Sequence, residues 1–155
     1  IRLAQTQNNL LEDMSPALMH EVTWGTNQEW MEKVWFLKGA PEAFMVEMAR
    51  MLGARVFSPG EAPALGYMYI VHRGIALYQA KIVTKGEVIG SDIILAVKEL
   101  RSTAQARAMN YLEVFFTTRG GLMQVSSRYP SVVKLMRRAA VMLAMRRKII
   151  KLAKE

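Results

Sequence analysis

The hydrophobic pattern of this chain changes its period at Gly53, and this change constrains the fold more than any other feature. Before it, apolar residues recur at helical spacing after Pro41, which predicts a helix that ends at Gly53. After it, short alternating or β-branched runs are separated by glycines. These runs cover residues 54–58, 67–72, 75–80, 81–84, 103–109 and 111–117. Many short strands punctuated by glycine predict an antiparallel roll or barrel.

Helical patterns precede the strands. Ser15 is typical of an N-cap and Pro16 of a first helical position, which predicts a helix that ends at Gly25. Thr26 and Glu29 have the spacing of a capping box, so a second helix is expected from there to about residue 39.

Two helices are expected after the strands, one over residues 122–127 and a long basic one over 131–154. Tyr129-Pro130 separates them. The predicted fold class is therefore α+β, with an antiparallel β jelly roll between N-terminal helices and two C-terminal helices.

Composition limits the class of protein. The 155 residues are 52% hydrophobic and 22% charged, which is typical of one globular domain. No apolar run reaches the roughly 18 residues of a membrane span, and the first residues do not resemble a signal peptide. The chain does not begin with Met, so we expect it to be part of a longer protein. The absence of cysteine excludes disulfides and thiolate metal sites and fits an intracellular setting.

The net charge of +8 is concentrated in the last predicted helix. Its basic residues are Lys134, Arg137, Arg138, Arg146, Arg147, Lys148, Lys151 and Lys154. This distribution argues against a general nucleic-acid-binding surface. The apolar residues predicted on one face of the helix are Val132, Leu135, Met136, Ala139, Met142 and Leu143. Three interpretations remain open: a helix packed on the β roll, a lid over a pocket, or a target for calmodulin or an anionic membrane.

Catalytic and metal sites are not indicated. His20 and His72 are isolated in the sequence, so we expect neither to be a metal ligand or a catalytic base. The acidic residues Glu61, Glu87 and Asp92 do not form an evident catalytic carboxylate pair. The sequence therefore predicts a protein that is not an enzyme and needs no cofactor.

The stretch from Gly86 to Ala108 contains the best candidate for a binding site. Gly86 and Gly90 frame a turn, and the apolar segment after them is compatible with one helical turn. Backbone N–H groups at such a turn can hold an anion, and Arg101 lies about ten residues downstream. A phosphate pocket and an ordinary glycine loop with a surface arginine both remain open.

The ordered set of motifs resembles a cyclic-nucleotide-binding domain. The resemblance covers roughly residues 34–150 and rests on the motif order, since no single motif is specific. The matching segments are 36–38, 42–52, 57–61, Gly66, 68–71, Gly74, 86–90, 103–108, 111–114 and Tyr129-Pro130.

Other segments are similar to the cytoplasmic end of a protist-like potassium or cyclic-nucleotide-gated channel subunit, namely 10–18, 92–95, 100–101 and 111–115. The resemblance implies the end of the channel linker helices over 1–35 and a nucleotide-binding-like domain with a lid helix over 36–155. It further implies a cytoplasmic domain of a membrane protein, which contacts the rest of its subunit and forms homo-oligomers. The implied ligand is cyclic AMP or cyclic GMP.

Two positions depart from the pattern of ligand-binding family members. The family has a glutamate after the loop glycine, where this chain has Ser91, and an arginine before Thr-Ala, where it has Ser102. Arg101 lies one residue early, which reverses the side chain's direction in an extended segment. Losing two charge-assisted hydrogen bonds would lower affinity by roughly 10²- to 10⁴-fold.

We therefore expect a regulatory domain of a cation channel, most similar to potassium channels, with a degenerate phosphate cassette and weak or absent nucleotide binding. Asp92 could replace the missing glutamate, and Arg101 could reach a phosphate where residues 96–100 bend suitably. A functional sensor that gates the channel remains the first alternative, and the calmodulin- or lipid-binding module the second. The candidate site residues are Gly90, Ser91, Asp92, Ile93, Ile94, Arg101, Ser102 and Thr103.

Overall fold

The computed structural model describes residues 15–154. The α-helices are α1 (Pro16–Lys33), α2 (Glu42–Met51), α3 (Arg119–Ser126) and α4 (Pro130–Lys154). The strands are β1 (Gly53–Phe57), β2 (Tyr67–Arg73), β3 (Ala76–Tyr78), β4 (Lys81–Val83), β5 (Val88–Ile89), β6 (Arg107–Ala108) and β7 (Leu112–Thr118). Short 3₁₀ helices cover Trp35–Leu37, Ser91–Ile94 and Lys98–Leu100. Most of the segment that resembles a channel linker, residues 10–14, lies outside the described residues.

Helix α1 is one continuous helix where the sequence predicted two. Its start is as predicted, because the Ser15 side chain accepts a hydrogen bond from Leu18 N at 3.3 Å. The predicted stop at Gly25 is wrong, and the Thr26 hydroxyl donates to the Val22 carbonyl at 2.7 Å instead of capping a new helix. A glycine inside a helix costs about 1 kcal/mol, which burial of Trp30 and Met31 further along α1 offsets.

The strands form two antiparallel sheets, which confirms the α+β class. The four-stranded sheet has the order β1-β7-β2-β5, and the three-stranded sheet has the order β4-β3-β6. The predicted strand over 103–109 is reduced to β6. Ser102, at the start of this segment, contacts the 3₁₀ helix Ser91–Ile94 instead of a strand, because Ser102 N donates to Asp92 Oδ2 at 2.8 Å.

Strand β2 joins the two parts of the core. Met68 and Ile70 belong to the cluster that the helices cover, whereas Tyr69 and Val71 belong to the cluster that includes residues of both sheets. This division follows from the two-residue period of a strand, whose successive side chains point to opposite faces. A strand buried on both faces explains the nearly unbroken apolar run at this point of the sequence.

Helix α4 begins at Pro130 and packs on the domain through Val132, Met136 and Ala139. The prediction that Met142 belongs to the packed face is wrong, because 57% of this residue is exposed. Among residues 15–154, no helix combines the length and the apolar character needed to cross a membrane.

Candidate functional site

The turn between β5 and the 3₁₀ helix Ser91–Ile94 requires a glycine. Gly90 has a φ of 80°, in the left-handed region, and an added Cβ would lie 2.3 Å from the Tyr67 carbonyl oxygen. The 3₁₀ helix that follows confirms the predicted helical turn, and its Ile93 and Ile94 side chains are buried. These contacts hold the turn against β2 and fix the direction of the Ser91 and Asp92 side chains, which lie between Gly90 and Ile93.

A cavity of about 320 Å³ opens beside this turn. On one side it is lined by Tyr67, Tyr69 and Tyr78, together with Ile89. Its polar lining consists of Asp92, Lys98, Arg101, Ser102 and Thr103. Of the sequence-predicted site residues, the structure brings together at this cavity Gly90, Asp92, Ile93, Arg101, Ser102 and Thr103. The cavity combines aromatic and aliphatic walls with hydroxyl and charged groups, a combination that suits a small polar ligand with a flat ring.

Asp92 is engaged through Oδ2 by two partners within the chain. Its Oδ2 accepts one hydrogen bond from Ser102 N at 2.8 Å and another from Arg147 Nη1 of α4 at 2.5 Å. The Asp92 side chain is 12% exposed and that of Arg147 is 31% exposed, so water screens this ion pair only partly. Arg147 Nη1 also donates to the Leu100 carbonyl at 3.0 Å, which ties α4 to both ends of the loop.

The Arg101 side chain stabilises the loop over residues 96–100 by bonding to the backbone at its start. Its Nε and Nη2 both donate to the Leu95 carbonyl, at 2.9 and 2.6 Å. Residues 96–100 therefore do bend, but the guanidinium that lines the cavity is used to hold that bend. The Ile93 amide, which lies in the turn predicted to hold an anion, donates to the Gly90 carbonyl at 3.3 Å. The 3₁₀ turn therefore uses this amide internally.

Two predicted site residues have other neighbours. The Ser91 hydroxyl accepts a hydrogen bond from Trp35 Nε1 at 3.4 Å, so it contacts the segment that follows α1. Ile94 belongs to the core cluster beneath the helices. The Ser102 hydroxyl caps its own turn by accepting from Ala104 N at 3.1 Å.

Sequence reasoning missed Arg147, which it placed only among the basic residues of the last predicted helix. A signal was present, because Met136, Leu143 and Arg147 are separated by seven and four residues and so share one helix face. Met136 is buried and Leu143 is half-buried, so this face is the packed one. The sequence could not show that the Asp92 carboxylate lies beside Arg147 at the end of that face.

Tyr69 in the cavity wall is held protonated. Burial raises the pKa of Tyr69, the nearby Tyr67 raises it further, and Arg55 lowers it. The Tyr69 hydroxyl donates to the Ala64 carbonyl at 2.7 Å. This side chain therefore shapes the cavity as a neutral group and is not an acid or base at neutral pH.

His72 lies on β2, away from this cavity, with its ring centroid 5.0 Å from that of Phe115. Burial lowers the pKa of His72, and the carboxylate of Glu113 opposes this shift. Within residues 15–154, no three His, Asp or Glu side chains converge as a metal site would require.

The comparisons with known proteins leave the family open. No family model matches the sequence, and no curated protein matches it. Any function proposed for this chain therefore depends on the contacts of residues 90–103 and on the order of the motifs.

Proposed function

We propose that this chain is the cytoplasmic regulatory domain of a cation channel subunit, with a cyclic-nucleotide-binding, jelly-roll fold whose phosphate cassette is closed by the chain's own side chains. In the following, the cassette means residues 90–103. Cyclic AMP and cyclic GMP then bind weakly or not at all. The channel assignment rests on the resemblance of the ordered motifs. The two antiparallel sheets flanked by helices are compatible with that fold.

The observation that carries the proposal is the internal pairing of Asp92 and Arg101, the two charged residues among the predicted site residues. A cyclic phosphate would have to displace the Leu95 carbonyl from Arg101, and a ribose hydroxyl would have to compete with Arg147 for Asp92. Hydrogen bonds to charged groups contribute roughly 1.5–3 kcal/mol each. Breaking one for each new contact offsets most of what the ligand gains, so high affinity is not expected.

The same contacts provide a route for regulation. The cassette is joined to α4 through Asp92 and Arg147, and to the segment after α1 through Ser91 and Trp35. A change in the position of α4 therefore alters contacts at both flanking helical elements. A ligand that favoured one position of α4 would shift this equilibrium and so act on the neighbouring channel segments.

Calorimetric titration with cyclic AMP and cyclic GMP tests the proposal. We expect no heat of binding at micromolar nucleotide for the natural sequence. The Ser102→Arg variant places the family's arginine back on the cavity wall, and we expect it to gain affinity by about tenfold or more. Gln105→Arg, at an exposed position that does not line the cavity, is the matched control for added charge and should gain much less.

Micromolar binding by the natural sequence would replace the proposal with its alternative, a functional sensor that gates the channel. Equal affinities for Ser102→Arg and Gln105→Arg would refute the alignment of the cassette with the family's motif. The regulatory role has its own measurement. In membrane patches that carry the complete subunit, Arg147→Gln should shift channel gating, whereas Arg137→Gln, at an exposed position earlier on the same helix, should not.

A further inference from the structure

Helix α4 carries an apolar stripe on the face that points away from the domain. The stripe consists of Val141, Met142, Met145, Ile149 and Leu152, and each of these residues is more than half exposed. At about 100° of rotation per residue, the five positions fall within about 100° of the helix circumference. We call this set the outer stripe. Five large apolar side chains aligned in water are typical of a contact surface, not of scattered exposure.

The charges around the outer stripe all have one sign. Helix α4 contains eight Lys or Arg residues and no Asp or Glu. Arg146 and Lys148 lie on opposite borders of the stripe, and Lys134 and Arg138 extend the same face toward the start of the helix. All four are exposed. A surface of this kind attracts an anionic partner with an apolar interior.

The opposite face of α4 is already occupied. Val132, Met136 and Ala139 are buried against the domain, and Arg147 is held by Asp92. As far as Arg147 the docked helix therefore presents only its outward face, whereas Ile150 beyond it is 48% exposed. A protein groove that surrounds a basic amphipathic helix would require the inner face as well, and so would require α4 to leave the domain.

A second copy of the chain is disfavoured by the same charges. Two outer stripes brought together would place Arg146 and Lys148 against the identical residues of the other helix. Like charges facing each other across a helix pair are destabilising. A flat anionic surface meets both basic borders without any such repulsion.

We propose that the outer stripe of α4 binds an anionic lipid surface. The helix lies in the plane of the membrane with the stripe at the boundary of the acyl chains, while Arg146 and Lys148 extend to the headgroups. The contact from Val141 to Leu152 is about 16 Å long, from a rise of about 1.5 Å per residue. This proposal does not depend on nucleotide binding, because it uses the face of α4 opposite to the cassette.

Co-sedimentation with lipid vesicles tests the proposal. The probes are vesicles of phosphatidylcholine alone and of an equimolar mixture of phosphatidylcholine and phosphatidylserine. We expect sedimentation with the mixed vesicles only, and weaker sedimentation as salt is raised. The double variant Met145→Gln/Ile149→Gln should lower the partition coefficient by about tenfold or more, since it removes the centre of the stripe and keeps helix propensity.

The chain offers a matched control. Ile82 on β4 is 65% exposed, close to the 63% of Ile149, and Ile82→Gln should leave the partition coefficient unchanged. Replacing Arg146 or Lys148 with Gln should lower the partition coefficient by about fivefold each. Unchanged thermal unfolding of each variant shows that its effect comes from the surface and not from a loss of folding.

Three outcomes would overturn the proposal. One is equal sedimentation with both kinds of vesicle, or none with either. Another is the same loss of binding for Ile82→Gln as for the double variant. The third is calcium-dependent binding to calmodulin, or self-association that the double variant abolishes, in a chain that does not bind the mixed vesicles.

Discussion

The ion pair between Asp92 and Arg147 gives the sharpest prediction, because it closes the cassette and fixes the second half of α4. The Arg147→Gln variant removes the donor to Asp92 Oδ2 and the donor to the Leu100 carbonyl. Asp92 then keeps only its hydrogen bond from Ser102 N among these contacts. The change is confined to a side chain at the end of the packed face, so the sheets should be unaffected.

The magnitude follows from the burial of the two partners. Exposed ion pairs contribute about 0–1 kcal/mol, and removing one partner of a buried pair costs about 3–5 kcal/mol. With Asp92 12% exposed and Arg147 31% exposed, this pair falls between those cases. We expect Arg147→Gln to lower the free energy of unfolding by about 2 kcal/mol. Asp92→Asn should cost less, because its side-chain oxygen still accepts from Ser102 N.

The assay is a double-mutant cycle in urea, followed by the fluorescence of Trp24, Trp30 and Trp35. We expect a coupling energy of about 1–2 kcal/mol between Arg147→Gln and Asp92→Asn. Hydrogen exchange should also show lost protection in the last turns of α4 in either single variant. Arg146→Gln is the control, since its side chain is exposed on the same helix. A coupling energy below about 0.3 kcal/mol, or equal destabilisation by the control, would refute this reasoning.

Three further predictions concern the fold. Gly90→Ala should lower the free energy of unfolding in urea by at least about 2 kcal/mol because of its positive φ and the contact with Tyr67, whereas Gly25→Ala, exposed inside α1, should raise it by about 0.5–1 kcal/mol. Leu122→Ala removes a fully buried side chain of α3 and should cost about 2–5 kcal/mol in the same measurement. Burial lowers the pKa of His72 in the folded state below the unfolded value of about 6.5, so protonation favours unfolding and stability should fall as the pH drops below about 6.5. His72→Gln should remove that part of the decline, and parallel pH profiles of the two proteins would contradict the assignment.

Strands β2 and β7 were predictable because each carries a local signal. Strand β2 has a continuous apolar run between glycines, and β7 is rich in β-branched and aromatic residues, so both agree with their predicted ranges. The segment before β6 also alternates, but alternation does not report which neighbour is available. In that segment Ser102 bonds to Asp92 in the 3₁₀ helix Ser91–Ile94. Pairing with β3 begins only at Arg107.

Gly25 shows the opposite failure. A glycine at that position is a reasonable local stop, yet the helix continues because residues on both sides are buried on one face of it. Tertiary packing outweighs the penalty of about 1 kcal/mol for a glycine inside the helix. No local sequence pattern reports the stabilisation that comes from this packing.

The candidate site was predictable in position but not in its contacts. Six of the eight predicted residues line one cavity, since the turn after Gly90 and the segment around Ser102 are local features. The pairing of Asp92 with Arg147 joins residues 55 positions apart, and that of Arg101 with the Leu95 carbonyl depends on the bend between them. Such partners follow from how α4 docks, which the sequence leaves open.

Binding at the outer face of α4 and pairing at its inner face are energetically independent, although both faces belong to one helix. The outer stripe is exposed while Arg147 is paired with Asp92, so a surface can bind the stripe without breaking the pair. A partner shifts a conformational equilibrium only by its difference in affinity for the two states, and a docked helix already presents the whole stripe. Lipid contact therefore neither opens nor closes the cassette, unless the surface turns α4 away from the domain. Any such coupling is reciprocal and is limited by the pair's own contribution of about 1–2 kcal/mol, or roughly fivefold to thirtyfold in affinity. Under the two proposals, control of the cassette belongs to the inner face, and placement of the domain at a membrane belongs to the outer one.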